Sequence, residues 1–539
     1  MTLLKRITVC VYVALLVLPG AAMLGRIHDH PIAGALAAKP WPAPSLAAVR
    51  DESFQRGVTE WFDSEIGFKG YSIYIDNTAL YHAFKETKVG APTLRGEDGV
   101  MFMRSDVDYY NRSDVTDLVD VDRLASFAAR VAELQTALRA QHRAFIPVIV
   151  PSKTSVYPDK VPARWTRALG TPRPTDVGVY LVMKRALDQA GVAYVDARKL
   201  FARSSEPRER LWAPQARHWS DYGACLALRE IVRIYVATTG TPFAFDCIPT
   251  QISGWLWHPD YDLMNLTNAW GIARDPMRWL ATYPLRPPRQ FRPTTLLIGS
   301  SFMGELVANI DSSKMFGRRI IDYYDATFYG VSFAQEVHPH TDPWRAVVLD
   351  NDLYIFDLFE VLGVPAHASF VHELRDELPN VLAARAQRSA SSDIEVTAAA
   401  RATPILDTWI SFAADAPGRA LLGPGWSWGE SWGTWSDDYV PVLALPVPPG
   451  QRVQVSLRWI GTAPPGQTQA AHVDIDDQPF EVTFPAHEQA LESSFEVTSR
   501  RGWLVIRIDI ERPVTSNGRL LGIALTAARV TLSNAASPL

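Results

Sequence analysis

Cysteine is scarce in this chain of 539 residues, which holds three. Three cysteines exclude a disulfide-rich scaffold and any four-cysteine metal site. Cys10 lies inside an apolar run, which leaves Cys225 and Cys247 as an even pair. This pair closes one loop if the compartment is oxidising, and otherwise remains as two free buried thiols.

A large excess of one charge is also missing. The chain has 53 basic and 58 acidic residues and a net charge of -5. Proteins that bind nucleic acid usually carry a strongly basic balance, so we expect no nucleic-acid partner. With 47% hydrophobic and 21% charged residues the chain is globular, and its length suits two or three domains.

Long apolar runs are absent except at the N-terminus, where Ile7–Leu24 follows a basic flank. Such a run can cross a bilayer with its N-terminus in the cytoplasm. The small residues Gly20–Ala22 fit a cleaved signal peptide instead. Either way the chain is exported, and we predict an anchor or signal at residues 1–25 and a tether at residues 26–50.

Short apolar runs alternate with helical patterns over residues 51–382. The runs at 145–150, 193–196 and 294–298 are typical of buried strands, and residues 121–142 have the pattern of an amphipathic helix. This alternation predicts an α/β domain, a parallel sheet with helices on both faces.

The pattern changes beyond a small polar linker at residues 383–395. Apolar and polar residues then alternate strictly, as in 453–459 and 506–510, between turns rich in proline and glycine. We therefore predict an all-β sandwich over residues 396–539.

Ser301 lies where the predicted strand 294–298 gives way to a helical pattern. The carboxyl end of such a strand is where ligands bind in open α/β sheets. The backbone N–H groups of Ser301 and Phe302, at a helix N-terminus, can stabilise an oxyanion. Ser301 is therefore a candidate nucleophile, with a helix-capping serine as the alternative.

His218 is a candidate general base, with Trp219 as an aromatic wall for its ring and as a candidate substrate-binding residue. A purely structural histidine is the alternative. Lys153 and Tyr157 follow the predicted strand at 145–150 and are expected to line a pocket for an anionic or hydroxyl-rich ligand. The alternative for these two is a solvated loop.

Two histidine-rich stretches resemble metal sites in composition, His28–His30 and His338–Asp342. The first follows the apolar run, where interfacial polar residues are ordinary. The second is a loop broken by proline, with no other obvious ligand nearby in the sequence. We therefore predict no metal site.

Five segments resemble, in order, those of the alginate O-acetyltransferases of the AlgX/AlgJ family. They are Trp61–Lys69, Gly96–Phe102, Val150–Pro158, His218–Ala224 and Gly299–Phe302. The histidine segment precedes the serine segment, which is the permuted order of this family. The resemblance implies an SGNH-hydrolase-like domain with Ser301 as nucleophile and His218 as base, without a cofactor.

The sequence departs from the family pattern at Ala216. The family has an aspartate there, which holds the imidazole in its productive tautomer, and loss of such a group costs on the order of 10⁴ in rate. Without a replacement the site is a weak Ser–His dyad or inert. The candidate replacements are Gln215, Asp221 or a carboxylate from elsewhere in the chain, such as Asp357 or Glu360.

The tryptophan-rich stretch at 425–436 and the segment 519–523 resemble a jelly-roll domain appended to bacterial polysaccharide-pathway proteins. We therefore expect the β-sandwich to be jelly-roll-like and to bind carbohydrate. Trp432 and Trp435 are expected to stack on sugar rings, or else to fill the core of the sandwich.

The resemblance implies an O-acetyltransferase that modifies an exopolysaccharide in the periplasm, held at the inner membrane by its N-terminal segment. It also implies a membrane-bound O-acyltransferase as the acetyl supplier. The alternatives are a non-catalytic polysaccharide-binding or scaffold protein, which Ala216 favours, and a carbohydrate esterase. In an oxidising periplasm Cys225–Cys247 is the favoured disulfide.

Overall fold

A computed structural model describes most of the chain. The described residues are 3–25, 29–34, 39–111, 120–167, 178–253, 258–273, 277–323, 327–329, 348–387, 403–485, 489–516 and 519–533. The α-helices are α1 Leu3–Leu24, α2 Leu46–Arg50, α3 Ser53–Glu65, α4 Lys69–Ala79, α5 Arg104–Asn111, α6 Val121–Arg139, α7 Lys153–Val156, α8 Ala163–Arg167, α9 Val179–Gln189, α10 Ala197–Arg203, α11 Arg208–Leu211, α12 Asp221–Thr239, α13 Asp262–Asn265, α14 Met303–Ser313 and α15 Ser369–Gln387.

The strands fall into two groups along the chain. The first group is β1 Thr93–Arg95, β2 Met101–Met103, β3 Ala144–Val150, β4 Val195–Asp196, β5 Ile248–Ser253, β6 Met277–Thr282, β7 Thr295–Gly299, β8 Arg319–Tyr323, β9 Thr327–Tyr329 and β10 Leu353–Phe359. The second group is β11 Ile410–Ser411, β12 Trp426–Gly429, β13 Thr434–Ser436, β14 Val442–Pro446, β15 Arg452–Gly461, β16 Ala470–Ile475, β17 Gln478–Thr483, β18 Ala490–Thr498, β19 Trp503–Ile510, β20 Val514–Ser516, β21 Arg519–Leu521 and β22 Ile523–Leu532.

The first group builds a six-stranded sheet with the order β4-β3-β10-β7-β8-β9. All neighbours in it are parallel except β8 and β9. Every residue of β3, β7 and β10 is buried, because these apolar strands are covered on both faces. One apolar core includes residues of α12 and α14 and the other includes residues of α6, α9 and α15. The predicted α/β fold is confirmed.

The second group forms two antiparallel sheets, with the orders β12-β13-β22-β15-β18 and β14-β19-β16-β17. Residues of β15 alternate between buried and exposed over much of its length, as the sequence predicted. Trp459 and its apolar neighbours from both sheets form the core between them. The predicted β-sandwich is confirmed, while its jelly-roll connections and the domain boundaries stay predictions.

Ion pairs between basic residues of the α/β domain and acidic residues of the sandwich join the two domains. Arg292 lies 2.9 Å from Asp438 and Lys314 lies 3.2 Å from Asp437, and in both pairs the cation belongs to the α/β domain. Arg292 precedes β7 and Lys314 follows α14. The sandwich therefore docks at the edge of the sheet opposite to Ser301.

Among the described residues, α1 is long and apolar enough to cross a membrane, a property that signal sequences share. The expected tether is in part not a free linker. The Asp29 carboxylate accepts a hydrogen bond from the Gly70 N–H at 2.7 Å, at the start of α4. The His30 ring stacks on Tyr74 with centroids 4.2 Å apart.

Candidate active site

Ser301 begins the turn that joins β7 to α14. The turn is held from β10, where Asp357 accepts a hydrogen bond from the Ser300 N–H at 3.0 Å and a second one from the Ser300 hydroxyl. Gly299 is required because a Cβ there would collide with the Asp357 side chain. Burial raises the pKa of Asp357, opposed by the hydrogen bonds from Ser300. The sheet thus presents Ser301 at its carboxyl edge.

His218 lies in the loop just before α12, whose first turn is capped by Ser220. The imidazole Nε2 lies 2.8 Å from the Ser301 Oγ. The ring packs edge-on against Phe302, with centroids 4.8 Å apart. The structure therefore brings together the two residues that the sequence predicted to act together, at hydrogen-bonding distance.

Asp262, at the start of α13, faces the other imidazole nitrogen. Its Oδ2 lies 3.5 Å from the His218 Nδ1. Its Oδ1 accepts hydrogen bonds from the backbone N–H groups of Arg217 at 2.6 Å and Leu263 at 2.7 Å. Two fixed donors thus aim the carboxylate at the ring, where it favours the tautomer that carries its proton on Nδ1.

A carboxylate from elsewhere in the chain, one of the expected alternatives, occupies this position, but none of the four residues named for it does. All four bond elsewhere: Gln215 to the Ala273 carbonyl, Asp221 to the Ala281 N–H, Asp357 to the Ser300 N–H and Glu360 to the Ser152 N–H. Asp262 was missed because it comes 45 residues after Arg217 and no spacing rule links it to the histidine.

Lys153 does not line a pocket, which corrects the sequence expectation. Its side chain is buried, and its Nζ donates to the carbonyls of Ala213, Pro214 and Ala216 at 2.9, 2.6 and 2.7 Å. Burial holds the pKa of Lys153 well below its usual value. The lysine ties down the loop that leads to His218, since it satisfies three carbonyls of that loop.

Tyr157 and Trp219 are also buried and structural in their contacts, in place of the substrate contacts expected of them. The Tyr157 hydroxyl donates to the Trp212 carbonyl at 2.7 Å. The Trp219 indole donates to the Phe302 carbonyl at 3.2 Å and so links the histidine loop to the serine turn.

Arg217 crosses the site next to His218. Its guanidinium pairs with the buried Asp106 and lies 5.4 Å from the ring centre of Phe302 and 5.2 Å from that of Phe359. Burial raises the pKa of Asp106, opposed by the charge of Arg217. These contacts fix the backbone of Arg217, whose N–H holds Asp262.

The two backbone donors expected for an oxyanion are not equivalent. The Phe302 N–H donates to the Ser300 Oγ at 3.3 Å. Within the described ranges no acceptor takes the Ser301 N–H, which leaves it available to an oxyanion on Ser301.

Glu305 lies one helical turn beyond Ser301 on α14. Burial raises its pKa to about 7, and the nearby His218 opposes this shift. Its Oε2 is buried without a hydrogen-bond partner among the described residues. Burial also raises the pKa of Asp260, two residues before Asp262, to about 6.

The tryptophans of the sandwich lie apart from this site. Trp435 is buried, and Trp432 is partly exposed and packs edge-on against it at 5.9 Å. Trp428 is 62% exposed, and the guanidinium of Arg519 lies 4.2 Å from its ring centre. Because Trp435 is buried, its ring is not free to stack on a sugar, which corrects that expectation, whereas the sugar-stacking role expected of Trp432 stays a prediction.

Cys225 and Cys247 form a disulfide that ties α12 to the segment before β5. Of the two histidine-rich stretches, His28 and His338–Asp342 lie outside the described residues. Asp29 and His30 are engaged in the contacts with α4 described above.

A serine hydroxyl, an imidazole and a carboxylate in series are the groups that activate a serine for acyl transfer. Together with the parallel sheet and the serine at its carboxyl edge, they define the class of SGNH-hydrolase-like proteins. Residues 94–246 match the family model of the SGNH hydrolase-like domain, acetyltransferase AlgX. This segment is similar to the SGNH hydrolase-like domain of the AlgX acetyltransferase family, which confirms the resemblance seen in the sequence. The match includes His218 and ends before Asp262 and Ser301.

Several solved structures are similar to the chain. The O-acetyltransferase domain of Pseudomonas putida AlgJ is 16% identical with a TM-score of 0.31, over 53% of this chain and 99% of that one. Pseudomonas aeruginosa AlgX is 11% identical with a TM-score of 0.33, over 82% and 94%. Bacillus cereus PatB1 is 12% identical with a TM-score of 0.30, over 46% and 93%. These scores are low, so the fold assignment depends on the sheet order and the family model. No curated protein matches the chain.

Proposed function

We propose that the chain is an O-acetyltransferase that modifies an exopolysaccharide in the cell envelope through an acetyl-serine intermediate. The observation that carries the proposal is the series Ser301, His218 and Asp262, with 2.8 Å between Oγ and Nε2 and 3.5 Å between Nδ1 and Oδ2. The acetyltransferase family of residues 94–246 supports the same reaction class.

In the proposed reaction the Ser301 Oγ attacks the acetyl carbonyl of a donor, and its proton passes to the His218 Nε2. The leaving group takes this proton as its bond to the acetyl carbon breaks. A sugar hydroxyl then loses its proton to His218 and attacks the acetyl-serine ester. The Ser301 Oγ leaves with that proton, so the acetyl group moves to the sugar and the site is restored.

The acetyl donor is proposed to come from a membrane-bound O-acyltransferase, because acetyl-CoA stays in the cytoplasm. The proposed location is periplasmic, with α1 as an anchor in the inner membrane. The scaffold alternative relied on Ala216 as a lost aspartate together with the β domain, and the carboxylate of Asp262 at Nδ1 removes the first of these reasons.

The test is trapping of the acetyl group on the full-length protein in detergent. After incubation with p-nitrophenyl acetate, mass spectrometry should find an acetyl adduct on Ser301, and Ser301→Ala should lack it. Absence of both adduct and ester turnover, with glycan binding intact, would show a scaffold. Addition of oligosaccharide acceptors separates the remaining cases, since a transferase yields acetylated sugar and an esterase releases acetate alone.

A further inference from the structure

The C-terminal end of α1 is in direct contact with the α/β domain. Most of this helix is exposed, but Ala22 is 2% exposed. The Gly67 N–H donates to the Pro19 carbonyl at 3.2 Å. A Cβ on Gly67 would lie 2.5 Å from the Ala22 Cβ, so the domain and the helix meet here backbone to backbone.

This contact fixes the height of the domain relative to a bilayer. Each helical residue rises about 1.5 Å, so Pro19 lies about 7 Å before the end of the helix at Leu24. The hydrocarbon core is about 30 Å thick and takes about 20 helical residues, the length of the apolar window Lys5–Leu24. With α1 across a bilayer, Gly67 would lie at or below the outer boundary of the hydrocarbon, and no layer of water would separate the domain from the lipid.

The residues next to Gly67 in the folded chain are aromatic, as is typical of a membrane interface. Phe68, Tyr71, Tyr74, Trp270 and His30 form a cluster of rings with centroids 4.2 to 6.5 Å apart, which we call the juxtamembrane cluster. Tyr71 is 42% exposed and Trp270 is 38% exposed. Tyrosine and tryptophan are enriched where one end of a ring is apolar and the other is wet, as at lipid headgroups.

We propose that the juxtamembrane cluster and the exposed side of α4 sit on the outer surface of the bilayer that α1 crosses. The proposal rests on the proposed membrane anchoring of the chain. The partner is the lipid surface itself, because the cluster adjoins the helix end at Gly67. In this proposal the α/β domain contacts the membrane surface directly and is not separated from it by a flexible linker.

The juxtamembrane cluster and α4 are connected to the candidate active site through the segment after α13. The Asn77 side chain donates to the Thr267 carbonyl at 2.7 Å, and Asn268 exchanges hydrogen bonds with the backbone of Ala33 at 2.7 and 3.0 Å. Six residues separate Asn268 from Asp262, which limits their distance to about 20 Å. The segment that carries Asp262 is therefore tied to the surface that we place on the lipid, which holds the candidate active site at a fixed distance from a membrane-bound donor.

The experiment measures the depth of nitroxide labels on the full chain in vesicles of phosphatidylethanolamine and phosphatidylglycerol. The native Cys10 lies in α1 and reports whether that helix spans the bilayer, while Cys225 and Cys247 are bonded to each other. Surface labels are placed by Tyr71→Cys and Ile75→Cys in a Cys10→Ser background. Glu496→Cys on the sandwich is the control in water. Collision with oxygen, which partitions into lipid, is compared with collision with a water-soluble nickel chelate.

The expected result is a deep label at Cys10 and a shift toward lipid at positions 71 and 75 relative to position 496. If the Cys10 label is deep but the labels at positions 71 and 75 are as accessible to the nickel chelate as the label at position 496, the proposed membrane contact is wrong. The proposed membrane anchor α1 would then still stand. A Cys10 label in water would refute the anchor and the membrane contact together. Gly67→Leu should move the position-71 label toward water, whereas Gly502→Leu, where the nearest atom to a Cβ is 3.9 Å away, should not.

Discussion

The orienting role of Asp262 is the most consequential prediction of the structure. In Asp262→Asn the amide oxygen keeps the hydrogen bonds from the Arg217 and Leu263 N–H groups, because these two donors require an acceptor. The amide NH₂ then faces the His218 Nδ1. A donor at that position selects the tautomer with its proton on Nε2, which cannot take the Ser301 proton.

The magnitude follows from the distance of 3.5 Å between Nδ1 and Oδ2, at which two unit charges attract by about 5 kcal/mol with an effective dielectric of about 20. Loss of this stabilisation of the imidazolium in the transition state corresponds to a fall of about 10³- to 10⁴-fold in rate. The assay is the rate constant for acetylation of Ser301 by an activated ester, followed by mass spectrometry. The free energy of unfolding of the Asp262→Asn protein, measured with a denaturant, should differ little from that of the wild type.

The matched control is Asp260→Asn, which removes a carboxylate from the same segment. Asp260 pairs with Arg278 at 2.9 Å and not with His218, so its loss should leave the acetylation rate within about tenfold of the wild type. An Asp262→Asn protein that acetylates Ser301 as fast as the control would refute the role of Asp262.

Four further predictions follow from the same contacts. Ala216→Asp should not raise the acetylation rate, because Asp262 already faces the imidazole; a rise would show that the position is vacant. Lys153→Met should lower the free energy of unfolding by about 1 to 3 kcal/mol, measured by urea denaturation, because the carbonyls of Ala213, Pro214 and Ala216 each lose one of their two donors. Replacing both cysteines of the Cys225–Cys247 disulfide by alanine should cost about 3 kcal/mol for a separation of 22 residues, and a reductant should then produce no further loss. Folded Glu305 holds its proton up to about pH 7 and the unfolded chain releases it near 4.5, so stability falls as pH rises through this window; Glu305→Gln should make the fall shallower, and an unchanged slope would contradict the raised pKa.

Local sequence was sufficient for the elements and for two of the three site residues. The all-apolar strands and the alternating strands each have a period that only one kind of sheet can bury, so both domains were predictable. Ser301 and His218 each adjoin a strand end or helix start that is visible in the sequence. Lys153 was predicted to line a pocket because it follows the carboxyl end of the strand at 145–150, and only the three carbonyls around its buried side chain explain its position.

Only the tertiary structure identifies Asp262 as the carboxylate that faces His218. By its resemblance to the family, the sequence indicated that Ala216 stands in place of an aspartate, and it left the replacement open between Gln215, Asp221 and a carboxylate from elsewhere in the chain. In the folded chain, the backbone N–H of Arg217 in the histidine loop holds a carboxylate from a segment 45 residues further on. A catalytic series requires only that its groups meet in space, so a lost residue in one segment can be replaced from another without any trace in local sequence.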